Sequence, residues 1–145
     1  MQTSEIKDVL LAEDDKDDVL IFELAVEEAE LSIDLRCATD GDKLFVMLEE
    51  YIPDILFLDI QMPCKDGIAC ILEIRKNKDY DHLPVVMCTA HTSEQYINNA
   101  FRNGANLYMV KSRSLKDMAE NLKRIFSINW KTQMYYPPKN EFVWS

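Results

Sequence analysis

Four short, uninterrupted apolar runs punctuate the chain at wide intervals: Val9-Leu10-Leu11-Ala12, Ile55-Leu56-Phe57-Leu58, Val85-Val86-Met87-Cys88 and Leu107-Tyr108-Met109-Val110. Strands with one wet face alternate apolar and polar positions, whereas continuous runs fit strands covered on both faces. A weaker alternating segment, residues 33–38, predicts a further strand at a sheet edge. Between the runs the apolar period lengthens to that of a helix. The first interval carries Val19, Phe22, Val26 and Ala29, the second Leu44 and Leu48, and the third Ile68, Ile71 and Leu72 with the stem of Arg75 flanking the stripe. The fourth presents Tyr96, Ile97, Ala100 and Phe101, opened by Thr92 with Gln95 three residues on, a capping-box spacing, and closed by Gly104. The last helix reads Leu115, Met118, Ala119, Leu122, Ile125 and Phe126, with Ser114 placed to cap it.

Alternation of strand and helix implies right-handed crossovers and a parallel sheet between two helical layers. About five β/α units are too few to close an eight-stranded barrel, and no internal repeat argues for a solenoid. An α/β fold with an open, doubly wound parallel sheet is the expectation. Residues 1–130 form one predicted domain. Residues 131–145 are a tail containing Tyr135, Tyr136, Pro137, Pro138, Phe142 and Trp144, aromatic but without a helical stripe.

Composition narrows the function classes. With 145 residues, 48% of them apolar, and only 3 Gly and 5 Pro, the chain is neither disordered nor a low-complexity polymer. Sixteen basic against 26 acidic side chains give a net charge of -10, which repels phosphate backbones and anionic membrane surfaces. DNA and membranes are therefore not expected partners. No apolar run approaches the ~20 residues of a membrane span, and residues 1–11 lack a basic region followed by an apolar stretch, so a cytoplasmic location is expected. Cys37, Cys64, Cys70 and Cys88 lack the close pairing of metal ligands and read as small hydrophobes, with Cys64, in a predicted loop, the candidate reactive thiol.

In an open α/β sheet, ligands bind beyond the carboxyl ends of the strands. The residues that follow the four runs are Glu13-Asp14-Asp15, Asp59, Thr89 and Lys111. Two carboxylates ~4 Å apart repel by about 4 kcal/mol at an effective dielectric near 20, so such a cluster calls for a cation. Carboxylate oxygens without nearby His or thiolate suit Mg²⁺. Lys111 adds a point charge for a phosphoryl group and Thr89 a hydroxyl donor. Together they describe phosphoryl transfer to a carboxylate, with Asp59 as nucleophile. Each acid taken singly also reads as a helix cap or first-turn decoration, with Glu13-Asp14-Asp15 preceding a helix that begins near Lys16. The joint occurrence of acids, hydroxyl and lysine at successive strand ends favours the chemical reading.

The ordered set Val9-Leu10-Leu11-Ala12-Glu13-Asp14-Asp15, Leu58-Asp59-Ile60-Gln61-Met62-Pro63 with Asp66-Gly67, Thr89-Ala90, Gly104-Ala105 and Tyr108-Met109-Val110-Lys111 resembles the response-regulator receiver domains of bacterial two-component signalling, over residues 7–126. The resemblance implies a flavodoxin-like, five-stranded parallel sheet in the order 2-1-3-4-5 with about five helices. It implies that Asp59 is the phospho-acceptor, supplied by a sensor histidine kinase or phosphotransfer protein. Asp14 and Asp59 would bind Mg²⁺ with the backbone carbonyl of Gln61, and Glu13 would act through a metal-bound water. Thr89 and Lys111 would hold the phosphoryl oxygens. Tyr108 would be an aromatic switch coupled to Thr89, while Gln61 and His91 would tune the lifetime of the aspartyl phosphate. From residue type alone, Tyr108 reads equally as a packed aromatic and His91 as a solvated loop residue.

One departure is Ser112, where most receivers follow the lysine with a cis-proline. A cis bond before a non-proline costs ~2.5–4 kcal/mol, so a trans Lys111-Ser112 bond is predicted. The segment Lys111-Ser112-Arg113-Ser114-Leu115 and the aromatic tail resemble the small stand-alone regulators of phytochrome-type kinases, which implies output by protein contact and pairing of two copies through the last helix and tail. The tail is too short for a DNA-binding output domain, and the expected role is that of a signalling phospho-acceptor, not a turnover enzyme. The alternatives are a receiver-like scaffold that works without phosphate, a haloacid-dehalogenase-type phosphohydrolase, which expects an acid where Gln61 stands, and a flavodoxin, whose Ser/Thr/Gly phosphate cradle is replaced by acids.

Overall fold

The computed structural model describes residues 6–132 and 134–145; residues 1–5, with which the predicted domain begins, and Gln133 of the tail lie outside the described residues. In chain order the elements are β1 (Asp8–Ala12), α1 (Lys16–Glu28), β2 (Asp34–Ala38), α2 (Gly41–Glu50), β3 (Ile55–Leu58), α3 (Gly67–Lys76), β4 (Val85–Thr89), α4 (Glu94–Arg102), β5 (Leu107–Val110), α5 (Leu115–Ser127) and β6 (Val143–Trp144). The sheet is parallel throughout, in the order β2-β1-β3-β4-β5-β6. The four continuous runs became its interior strands, and the alternating segment became edge strand β2.

Alternate residues of each interior strand feed two separate cores, as a pleated strand covered on both sides requires. Leu10, Leu56, Leu58, Val85 and Met87 pack against Leu44 and Leu48 of α2, Ile71 and Ile74 of α3, and Ala100 of α4. Val9, Leu11, Ile55, Phe57, Val86 and Met109 face Phe22 and Ala25 of α1 and Met118, Leu122, Ile125 and Phe126 of α5. Phe57 anchors the second core, edge-on to Phe22 at 5.0 Å and stacked on Phe126 at 6.1 Å. Each such fully buried side chain contributes about 1.5–3 kcal/mol.

Two helix details differ from the sequence expectation. The cap of α4 is Ser93, whose Oγ accepts the Tyr96 N–H; starting one residue later puts Tyr96 where a capping box needs Gln95. On α3 the buried stripe is Gly67, Cys70, Ile71 and Ile74, leaving Leu72 43% exposed. The stripe is centred there because Gly67 packs directly on the backbone after β3: a Cβ at Gly67 would lie 2.2 Å from the Asp59 carbonyl oxygen. Gly104 closes α4 as expected, at φ +95, with the Ala105 N–H donating back to the Ala100 carbonyl.

The tail folds back and adds a sixth strand to the five expected. Phe142 is fully buried between the Phe101 ring at 5.2 Å and the Tyr108 ring at 6.0 Å, which draws β6 alongside β5. Trp144 meets the Arg124 guanidinium at 4.4 Å. Trp130 is also buried, its indole N–H donating to the Ile125 carbonyl. The tail aromatics therefore serve mainly this chain's own core, with Tyr136 left exposed. No cis peptide bond occurs among the described residues, so Lys111-Ser112 is trans.

Candidate phosphoryl-acceptor site

Register brings the strand ends level: Ala12 pairs with Leu58, Leu58 with Met87, and Thr89 with Val110. The residues just beyond them converge on an open cleft of about 340 Å³ that includes Glu13, Asp14, Asp59, Gln61, Thr89 and Lys111. Asp59 is 6% exposed, its N–H donating to the Ala12 carbonyl and its Oδ1 accepting the Ile60 N–H at 2.7 Å. Those backbone bonds leave Oδ2 facing the cleft, where Lys111 Nζ donates to it at 3.1 Å.

Of the three acids after β1, the structure separates the roles. Asp15 is a cap: its Oδ1 accepts the N–H groups of Asp17 and Asp18 and starts α1. Asp14 is exposed at the cleft, whereas Glu13 is 2% exposed beneath it. One carboxylate oxygen from each of Glu13, Asp14 and Asp59 lies within 4.8 Å of the other two. Burial pushes the Glu13 carboxyl up to about 7, reinforced by the charge of Asp59 and opposed by the hydrogen bond from Lys111. A compact set of hard oxygens without an imidazole or thiolate fits a divalent cation.

Lys111 Nζ donates to Glu13 Oε1 at 2.6 Å, Asp18 Oδ2 at 2.8 Å and Asp59 Oδ2 at 3.1 Å. Burial alone would lower its pKa, but the hydrogen bonds to Asp18 and Glu13 and the charge of Asp59 outweigh it, so the ammonium is held charged. Thr89 is fully buried, its Oγ1 accepting the His91 N–H at 3.3 Å. Tyr108 is also fully buried, its hydroxyl donating to the His91 carbonyl at 2.8 Å. Burial, then the charges of Asp59 and Tyr96, push the Tyr108 phenol up to about 12, so it stays a donor. The His91 ring lies half-buried beside Tyr96, with centroids 5.0 Å apart. Gln61 also lines the cleft, in the loop between β3 and α3.

Cys64 is an exposed free thiol whose surroundings disfavour the thiolate. Desolvation and the carboxylates of Asp40 and Asp42 push its thiol upward, and burial pushes Cys70 and Cys88 up to about 12. Two features escaped the sequence. Asp18 looks like ordinary first-turn acid decoration, and only the position of α1 against β5 reveals that it reaches Lys111. Asn106, fully buried, joins three segments: its Oδ1 accepts from the Val85 N–H and Arg75 Nη2, and its Nδ2 donates to the Tyr135 carbonyl.

A family model described as the response regulator receiver domain matches residues 9–123. Response regulator Rcp1 of Synechocystis sp. is 30% identical over 128 residues, 83% of this chain and 87% of that protein. Among solved structures, the manganese-bound form of response regulator Rcp1 is similar at TM-score 0.73 and 27% identity, covering 90% of this chain and 99% of that one. Response regulator RPA3017 in red light signalling of R. palustris is similar at TM-score 0.77 and 27% identity, covering 92% and 97%. The bacteriophytochrome response regulator RtBRR is similar at TM-score 0.74 and 26% identity, covering 92% and 86%. The strand order, the acids and lysine at the strand ends and these matches agree that the chain belongs to the response regulator receiver domain family.

Proposed function

We propose that this receiver accepts a phosphoryl group on Asp59 from the phosphohistidine of a sensor histidine kinase or phosphotransfer protein. The observation that carries the reading is the Asp59 carboxylate at an open cleft, with Lys111 Nζ 3.1 Å from its Oδ2 and one oxygen each of Glu13, Asp14 and Asp59 within 4.8 Å of one another. In the step, an Asp59 oxygen forms a bond to phosphorus as the P–N bond to the imidazole breaks, the electron pair leaving with the ring.

Magnesium is the proposed cation, held by Glu13, Asp14, Asp59 and the Gln61 backbone carbonyl, where it would neutralise charge between the carboxylates and the incoming phosphoryl oxygens. Lys111 shifts donors from carboxylates to a phosphoryl oxygen, and the Thr89 hydroxyl donates to another. Gln61 and His91 flank the product and set how readily water reaches it. Drawing Thr89 inward disturbs the loop whose His91 carbonyl holds the Tyr108 hydroxyl, so Tyr108 carries the change to the face made by α4 and β5. The protein acts as a signalling phospho-acceptor whose only chemistry is on its own carboxylate.

The red-light and bacteriophytochrome regulators to which the chain is similar support a phytochrome-type kinase as partner. Pairing of two copies through α5 and the tail belongs to the same reading, as does a receiver of residues 1–130 with residues 131–145 as an appended tail. A net charge of -10 and the absence, among the described residues, of a helix long and apolar enough to cross a membrane support a cytoplasmic site of action without DNA or membrane partners. Incubation with Mg²⁺ and acetyl phosphate is expected to add one phosphoryl group to the wild type and none to Asp59→Asn. Intact mass reads the result, and an unmodified, folded wild type refutes the proposal.

A further inference from the structure

The lysine at the cleft has one acid more than the metal cluster accounts for. An ammonium has three N–H donors, and each donor of Lys111 meets a different carboxylate: Glu13, Asp18 and Asp59. Two of those, Glu13 and Asp59, also belong to the compact oxygen set with Asp14, and Asp18 does not. A cation and a phosphoryl group would therefore compete with Lys111 for Glu13 and Asp59, while Asp18 keeps its bond. Asp18 is well placed to do so. It sits in the first turn of α1, its own N–H held by the Asp15 cap, and its side chain is 34% exposed at the rim of the cleft.

We infer that Asp18 is a positioning residue for Lys111, which it tethers over the cleft when Glu13 and Asp59 are engaged elsewhere; this rests on Asp59 being the phospho-acceptor. A lysine side chain is flexible along four carbons, so an ammonium with one fixed carboxylate partner searches far less volume before it meets a phosphoryl oxygen. The role differs from simple charge. As mere surface charge, Asp18 would repel an anionic phosphodonor, and its removal would help the reaction.

The two possibilities have opposite signs in Asp18→Asn. With acetyl phosphate and Mg²⁺, an Asp59 oxygen bonds to phosphorus while the P–O bond to acetate breaks and acetate leaves with the electron pair. For the tether, the saturated rate falls about tenfold, the size of one lost charge-assisted hydrogen bond, while KM stays level or drops because a negative charge has gone. Asp18→Glu restores most of the rate. A second readout needs no phosphate: acetylation of Lys111 by acetic anhydride, followed by peptide mass spectrometry. Lys111 should stay protected in the wild type with and without Mg²⁺, and in Asp18→Asn become several-fold more reactive only when Mg²⁺ is present. An unchanged or faster saturated rate in Asp18→Asn, or equal Lys111 protection in both proteins with Mg²⁺ bound, overturns the inference. Wild-type protein that takes no phosphoryl group at all refutes the phospho-acceptor reading instead.

Discussion

The ring of Phe142 lies 6.0 Å from that of Tyr108, and the Phe142 carbonyl accepts the Tyr108 backbone N–H at 3.0 Å. The tail is thereby joined, by both side chain and backbone, to the residue whose hydroxyl reaches the loop after β4. Tyr108 is fixed at both ends, at the phenol by the His91 carbonyl and at the backbone by the tail.

Phe142→Ala should destabilise the protein by about 3 kcal/mol, the lower end for truncating a buried phenylalanine, because the tail can peel away without opening the rest of the core. Urea denaturation measures the loss. Indole fluorescence should report greater solvent exposure of Trp144 before the main transition.

Asn106→Ala removes an amide that serves three partners at once, leaving the Val85 N–H, Arg75 Nη2 and the Tyr135 carbonyl without it. Unmet buried polar groups cost about 1–3 kcal/mol each, with partial relief where water enters beside the tail. A loss of about 3 kcal/mol in chemical denaturation is expected, together with faster proteolysis of residues 131–145.

Gly67→Ala tests the tight approach of α3 to the phospho-acceptor. Its Cβ would stand 2.2 Å from the Asp59 carbonyl oxygen, so backbone has to move. The expected cost is about 3 kcal/mol, and because the movement is at Asp59 the phosphorylation rate should fall more than in a distant variant of equal stability. Comparing the rate in Gly67→Ala with that in Asn106→Ala, whose hydrogen bonds lie at the start of β4 away from the cleft, separates the two effects.

Glu13 should make cation binding depend on pH. Burial raises its carboxyl from 4.5 to about 7, so between those pH values the folded metal-free protein retains a proton that the unfolded chain has released. That contribution to stability is complete below the unfolded value and is lost as pH rises through about 7. A cation needs the carboxylate, so Mg²⁺ affinity should rise with pH across that window, with proton release on binding. Thermal-shift titrations at about pH 6 and about pH 8 check this: the gain in Tm from Mg²⁺ should be larger at the higher pH. Glu13→Gln should flatten the difference.

The apolar runs and helical stripes were enough to specify the doubly wound sheet, because a strand buried on both faces must be continuously apolar and leaves that mark in one dimension. The strand-end residues Glu13, Asp14, Asp59, Thr89 and Lys111 were legible for the same reason, since the end of each run locates the rim of the sheet. The start of α4 falls one residue later than the sequence predicts because Ser93, the better capping residue of the Thr92-Ser93 pair, takes the Tyr96 N–H.

What needed three dimensions were contacts between residues far apart in the chain. Asp18 and Lys111 are 93 positions apart and Asn106 and Tyr135 are 29, and neither pair leaves a periodic trace. The tail shows the same division. Its aromatics were visible as hydrophobic surface to be buried, but the hydrophobic effect has no direction, and aromatic content suits a partner's surface as well as the chain's own. The free edge of β5 and the space between Phe101 and Tyr108 decided that Phe142 turns inward, because an unpaired strand edge and an apolar gap are satisfied together by one short parallel strand.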